Sequence, residues 1–255
     1  IGTGGMGEVW RARHKLLARD AALKLIRPDD LSGTVESRND RFFAEARTLA
    51  SMRSIHTVAV YDFGVADDGR CFLAMELLDG IDLDELVRRH GPQPAARIAT
   101  ILAQICDSLA EAHEAGLVHQ DIKPANVFLC RIAESLDLVK VLDFGLSRAI
   151  GKRHGDGSTV EGTPAFMAPE QARARGDLID GRTDLWSVGA TMFYLLSGRF
   201  VHEAPSATEI VIKAATEPAQ PLATVTRSLP PSLCSVVDRA LALAKERRWS
   251  DANTM

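Results

Sequence analysis

Short apolar runs broken by turn residues fill the first third of the chain, and longer amphipathic stretches fill the rest. Residues 8–13, 21–26, 58–65 and 71–77 are four such runs, punctuated by signals such as Asp67-Asp68-Gly69, and they predict strands of an antiparallel meander. Among them, residues 40–52 carry Phe42, Phe43, Ala46, Leu49 and Ala50 at helical spacing with charges on the other face, which predicts one helix. From about residue 82 the period is helical throughout. Over residues 94–115, Ile98, Ile101, Leu102, Ile105, Leu109 and Ala112 form one apolar stripe. Residues 183–196 are apolar nearly all round, so their helix is expected at the centre of the helical part, and Ser206-Ala207-Thr208-Glu209 reads as a capping box for a later one. The change of period at Asp79-Gly80 predicts a hinge over residues 76–80. It would leave a cleft between a strand-rich lobe, residues 1–78, and a helix-rich lobe, residues 79–255.

Composition narrows the class. The chain has 255 residues, 46% hydrophobic and 25% charged, enough to bury a sizeable core. A net charge of -4 with no long basic run argues against a sequence-independent grip on nucleic acid, which needs clustered Lys and Arg. Cys71, Cys106, Cys130 and Cys234 are far apart and lack zinc-type spacing, so buried thiols in a reducing, cytoplasmic setting are expected. The longest apolar stretch, residues 185–196, is too short to span a membrane, and no membrane contact is expected within these residues.

Candidate chemistry begins at Gly2-Thr3-Gly4-Gly5-Met6-Gly7-Glu8-Val9, a G-x-G-x-x-G-x-V loop whose missing β-carbons let backbone N–H groups approach phosphate oxygens. A dinucleotide-binding unit uses the same spacing but needs a helix directly after the glycines; residues 8–13 read instead as a strand. In the next strand, Ala21-Ala22-Leu23-Lys24 puts a lysine among apolar residues. A buried ammonium requires an anionic partner, and a polyphosphate meets that need. Glu45, mid-helix on the inward face, is the carboxylate expected to hold Lys24, although most helical glutamates are simply solvated.

Two further motifs decide the matter. His119-Gln120-Asp121-Ile122-Lys123-Pro124-Ala125-Asn126, followed by Asp143-Phe144-Gly145, resembles the catalytic loop and metal-binding turn of eukaryotic-type protein kinases. The likeness continues through Gly162-Thr163-Pro164-Ala165-Phe166-Met167-Ala168-Pro169-Glu170, Asp184-Leu185-Trp186-Ser187-Val188-Gly189 and Arg248-Trp249, and so covers essentially the whole chain. Residues 181–186 and 245–250 are worded like the bacterial serine/threonine branch. The fold this implies is α+β and bilobal, with a small antiparallel-sheet lobe bearing one helix and a larger, mainly helical lobe.

The resemblance also implies roles. Asp121 would accept or orient the acceptor hydroxyl proton, and Lys123 would offset charge on the moving phosphoryl group; Lys24 and Asn126 complete the catalytic set. ATP would lie among Gly2, Thr3, Gly4, Gly5, Met6, Gly7, Val9, Ala22, Lys24, Glu45, Met75, Glu76 and Leu78, with Met75 bordering the adenine and Glu76 and Leu78 offering main-chain groups. Asn126 and Asp143 would hold Mg²⁺, or Mn²⁺ in its place. Glu170 is expected to pair with Arg248, and Asp184 to brace the catalytic loop through backbone N–H groups. The implied partners are proteins with Ser or Thr acceptors and, for trans-autophosphorylation, a second copy of the chain.

Departures from the family pattern are specific. Gln120 stands where arginine is usual, so phosphorylation of Ser158, Thr159 or Thr163 is expected to be coupled less tightly to activity. Phe166 replaces tyrosine, Ser54-Ile55-His56 replaces a His-Pro sequence, and residues 131–137 lengthen a link between two strands. A pseudokinase scaffold is the alternative, weakened by the presence of Lys24, Asp121, Asn126 and Asp143 together. The chain starts inside a motif and stops at Met255 in a stretch of helical character, so a fragment with its first strand and last helix truncated is expected.

Overall fold

The computed structural model describes residues 2–4, 7–16, 18–26, 35–132, 135–144, 164–226 and 228–255. Five strands form the first sheet: β1 (Gly2–Gly4), β2 (Gly7–His14), β3 (Arg19–Ile26), β4 (Val60–Val65) and β5 (Cys71–Glu76), ordered β1-β2-β3-β5-β4 and antiparallel throughout. Helix α1 (Val35–Ser51) packs across β4 and β5, burying Phe42, Ala46 and Leu49. It begins ahead of the apolar periodicity that predicts it, because residues 35–39 are mostly polar and carry no hydrophobic signal.

Strand β4 starts two residues later than the apolar run suggests, for a topological reason. Residues 56–58 are diverted to run alongside β8 (Ser135–Val141): Val58 N–H donates to Val141 O and Val141 N–H to His56 O. The apolar character of Val58 therefore marks a crossing point between the lobes, where it is 2% exposed.

The chain leaves the first sheet at Glu76 and enters a second, β6-β7-β8, at β6 (Gly80–Asp82), with β7 spanning Val127–Ile132. Gly80, at φ +156°, is required there: a β-carbon would lie 1.9 Å from Leu129 O. The helical part comprises α2 (Leu83–His90), α3 (Ala95–Glu114), α4 (Pro169–Ala172), α5 (Gly181–Ser197), α6 (Ala207–Thr216), α7 (Leu222–Val225) and α8 (Pro231–Ala240). α5 packs between α3 and α8, and all but a few of its side chains are buried, as its uniform apolarity predicts. Ser206 caps α6 by accepting from Glu209 N–H at 3.2 Å.

The described ends of the lengthened link at residues 131–137, up to Ile132 and from Ser135, pair as one antiparallel arm of β7 and β8. Asp137, at φ +74°, takes a bidentate ion pair from Arg97 of α3 at 2.6 and 2.7 Å, so the arm is pinned to the helical body. Among the described residues no helix is long and apolar enough to cross a membrane.

Candidate active site

Register in the first sheet sets the roof of the cleft. In β2-β3-β5, Val9 lies opposite Lys24, and Ala22 opposite Met75, so the expected adenine neighbours Ala22 and Met75, each 7% exposed, form one cross-strand pair. Gly7, at φ +140°, is also fixed by packing, since a β-carbon would sit 2.0 Å from Leu25 O. That is a steric demand of the sheet, independent of any phosphate. Gly2, Thr3 and Gly4 form β1 against β2, while Gly5 and Met6 lie outside the described residues.

Lys24, 3% exposed, finds its anion across the cleft. Its Nζ is 2.7 Å from Asp143 Oδ1, a contact from β3 to the turn that follows β8. Burial alone would raise the Asp143 carboxyl, but the Lys24 charge and hydrogen bond dominate and hold it below the ordinary range, so it is anionic at neutral pH. Asp143 has φ +63°, a conformation that non-glycine residues adopt only where the surroundings enforce it. The next residue, Phe144, is 1% exposed and packs on the His119 ring at 4.6 Å between centroids. Glu45 is half-buried on α1, and Leu78 lies between β5 and β6. Gly145 lies outside the described residues.

The catalytic-type loop is a tight constellation. Asp121 Oδ2 receives Lys123 Nζ at 2.8 Å and Asn126 Nδ2 at 3.0 Å, and Asn126 Nδ2 also donates to Asp121 O. Both Asn126 donations come from nitrogen, which fixes the amide with Oδ1 as its remaining hard oxygen. Behind the loop, Asp184 at 0% side-chain exposure accepts from the backbone N–H groups of His119 (2.8 Å) and Gln120 (2.7 Å) and pairs with His113 at 2.8 Å. The brace expected of Asp184 is therefore present. So is the second expected pair: Arg248 reaches Glu170 through two hydrogen bonds of 2.8 and 2.9 Å, with Thr183 adding a third at 2.8 Å.

Asp143 and Asn126 offer two oxygen donors of the kind a hard divalent cation takes. Among the described residues no cluster of three His, Cys, Asp or Glu side chains could hold a metal by itself. Two protein ligands supplemented by phosphate and water are the donor set that suits Mg²⁺.

Several contacts around the site, and the residues Lys140 and Glu111, escaped the sequence reading. Glu76 has its amide spent on Ala59 O at 2.9 Å, and its carboxylate holds Lys140 Nζ at 2.6 Å and Ala59 N–H at 2.7 Å. Lys140 is a lysine inside an apolar strand, and the rule that singled out Lys24 applies to it equally. Glu111 of α3 anchors the loop after α1 through the N–H groups of Arg53 and Ser54, so Ser54-Ile55-His56 is held without a proline. Phe166 lies edge-on to Tyr194 and Phe200 at 6.0 and 5.8 Å, an aromatic cluster that needs no hydroxyl at that position. The acceptor-loop residues Ser158, Thr159, Gly162 and Thr163 lie outside the described residues.

Comparison with known proteins places this geometry. The chain matches the protein kinase domain profile over residues 1–255, and it belongs to that family. It is similar to the serine/threonine-protein kinase pkn3 of Myxococcus xanthus, 38% identical over 87% of this chain and 41% of the relative. It is likewise similar to the serine/threonine-protein kinase PknB of Mycobacterium tuberculosis, 34% identical over 100% and 40%. The chain thus spans about two fifths of the length of these curated relatives. Among solved structures, the Mycobacterium tuberculosis PknI kinase domain superimposes with TM-score 0.75 at 27% identity, covering 99% of this chain and 89% of that one.

Proposed function

We propose that this chain is the catalytic part of a serine/threonine protein kinase that moves the γ-phosphoryl group of Mg·ATP onto Ser or Thr hydroxyls of other proteins, in bacterial signalling. The observation that carries the reading is the Asp121 carboxylate, gripped on Oδ2 by Lys123 and Asn126, so that Oδ1 is the oxygen that meets an acceptor hydroxyl. Asp121 orients that hydroxyl and takes its proton. Lys123, beside it, offsets negative charge on the group in transit, and such fixed charges supply most of the catalysis in this class of reaction.

Asn126 Oδ1 and Asp143 would hold the metal, which would supply positive charge to offset that of the phosphate group. Lys24, half of the pair across the cleft, neutralises the inner phosphates, and Glu45 is the carboxylate proposed to steady it alongside Asp143. Gly2, Thr3, Gly4, Gly5, Met6 and Gly7 cover the phosphates; Val9, Ala22 and Met75 wall the adenine. With the Glu76 amide committed to Ala59, its carbonyl and the Leu78 main chain remain to meet the base. The named relatives carry the same activity in their names. A second copy of the chain is a proposed autophosphorylation partner, and the cytoplasm the proposed setting. No observation favours the pseudokinase alternative.

Incubating the protein with Mg·ATP labelled in the γ position and a Ser/Thr-rich protein acceptor tests this. Label is expected on serine and threonine, and the Asp121→Asn variant is expected to lose at least about 100-fold in kcat. Equal labelling by both proteins would refute the assignment of Asp121.

A further inference from the structure

The peptide plane between Gln120 and Asp121 aims the Asp121 side chain, and it is gripped on both edges. Its N–H donates to His119 Nδ1 at 3.2 Å, and its carbonyl accepts from Gln171 Nε2 at 2.8 Å. Gln120 has φ +66°, so the plane is held in an orientation that the free backbone would leave. The His119 grip is tied to the end of the second sheet, because the same ring bonds Leu142 O, just after β8, at 2.7 Å. The Gln171 grip comes from elsewhere.

Gln171 lies on α4, directly after the 164–168 segment that begins with the Pro164–Phe166 turn. Its Oε1 accepts from Ala168 N–H at 3.1 Å, so a single side chain, 5% exposed, ties that segment to the peptide carrying Asp121. An amide presents both a donor and an acceptor in one planar group, whereas an ionised carboxylate of the same size only accepts. Glutamate would keep the bond from Ala168 but set a carboxylate oxygen against the Gln120 carbonyl.

We propose that Gln171 is a positioning residue for phosphoryl transfer, setting the angle at which Asp121 meets a hydroxyl presented beside the 164–168 segment. The inference rests on the kinase reading above. In this chain Gln120 cannot draw a phosphorylated side chain by charge, whereas the Gln171 link is neutral and buried. It therefore holds in any phosphorylation state and is insensitive to salt.

The test is steady-state kinetics of the wild type and of Gln171→Glu and Gln171→Met, with melting midpoints and nucleotide affinity measured alongside. Wild-type transfer with kcat reduced about tenfold or more in both variants, while KM for ATP stays at its wild-type value even though the lost buried hydrogen bonds lower the melting midpoint, is the expected result. Misalignment of an acceptor-side base lowers turnover without loosening nucleotide, a split that a merely structural role would not give. Unchanged kcat, or a loss of kcat accompanied by an equal rise in KM for ATP, overturns the proposal. If Gln171→Glu does not fold, Gln171→Met, neutral and similar in length, decides by the same criteria. A wild type that transfers no phosphate at all would instead refute the kinase reading.

Discussion

Glu170 and Arg248 are 78 positions apart and nearly solvent-free, at 5% and 0% side-chain exposure. Burial alone would lift the Glu170 carboxyl, but the Arg248 hydrogen bond and charge hold it below the ordinary glutamate value of 4.5. With a depressed folded value, the unfolded chain takes up its proton first. The stability contributed by the pair is therefore complete above pH about 4.5 and is lost as pH falls below that value towards the folded one. Arg248→Ala strands a buried carboxylate and is expected to cost about 3–5 kcal/mol at pH 7, seen as a lower urea midpoint. The gap between variant and wild type should shrink on acidification to pH about 3.5; a gap of constant size would contradict the assignment.

Residues carried by a sequence motif were the most legible: the family resemblance singled out Lys24, Asp121, Asn126 and Asp143, and Lys24 meets Asp143 while Asp121 meets Lys123 and Asn126. Residues outside any motif whose partner is distant in sequence were not. The Glu76–Lys140 pair and the Gln171 amide depend on which segments the fold brings together, and no local pattern encodes that.

At the scale of elements, glycines and irregular segments separate two kinds of cause. Gly7 sits in a motif associated with phosphate, yet the Leu25 carbonyl already forbids a side chain there. Gly80 has the same standing at the start of β6, and Gly80→Ala is expected to cost about 1–3 kcal/mol by forcing β6 from β7, measured by thermal melting. An unchanged melting midpoint would show that the second sheet relaxes freely. Long helices with a continuous stripe, α3 and α5, were legible nearly to their ends, because burial follows directly from period. The polar beginning of α1 and the diversion of residues 56–58 onto β8 were not, since tertiary pairing overrides local preference there.

For the whole molecule, the decisive relation is between two sheets that do not share a strand. The first delivers Lys24, the second delivers Asn126 and Asp143, and among the connections between the two parts are the Lys24–Asp143 contact, the Glu76–Lys140 pair and the backbone bonds of Val58 and Val141. The period of the sequence changes at Asp79-Gly80, between the first sheet and β6, but only the folded arrangement brings Lys24 and Asp143 to within 2.7 Å.

The central claim is that these groups from both lobes make one site for a metal-bound triphosphate. Titration of Mn²⁺ by electron paramagnetic resonance, with a non-hydrolysable ATP analogue present, tests it most directly. The wild type is expected to bind metal and nucleotide together, and Asp143→Asn to weaken that joint binding at least about tenfold while keeping its fold. Metal affinity that is the same in both proteins, or that does not depend on nucleotide, would contradict the account.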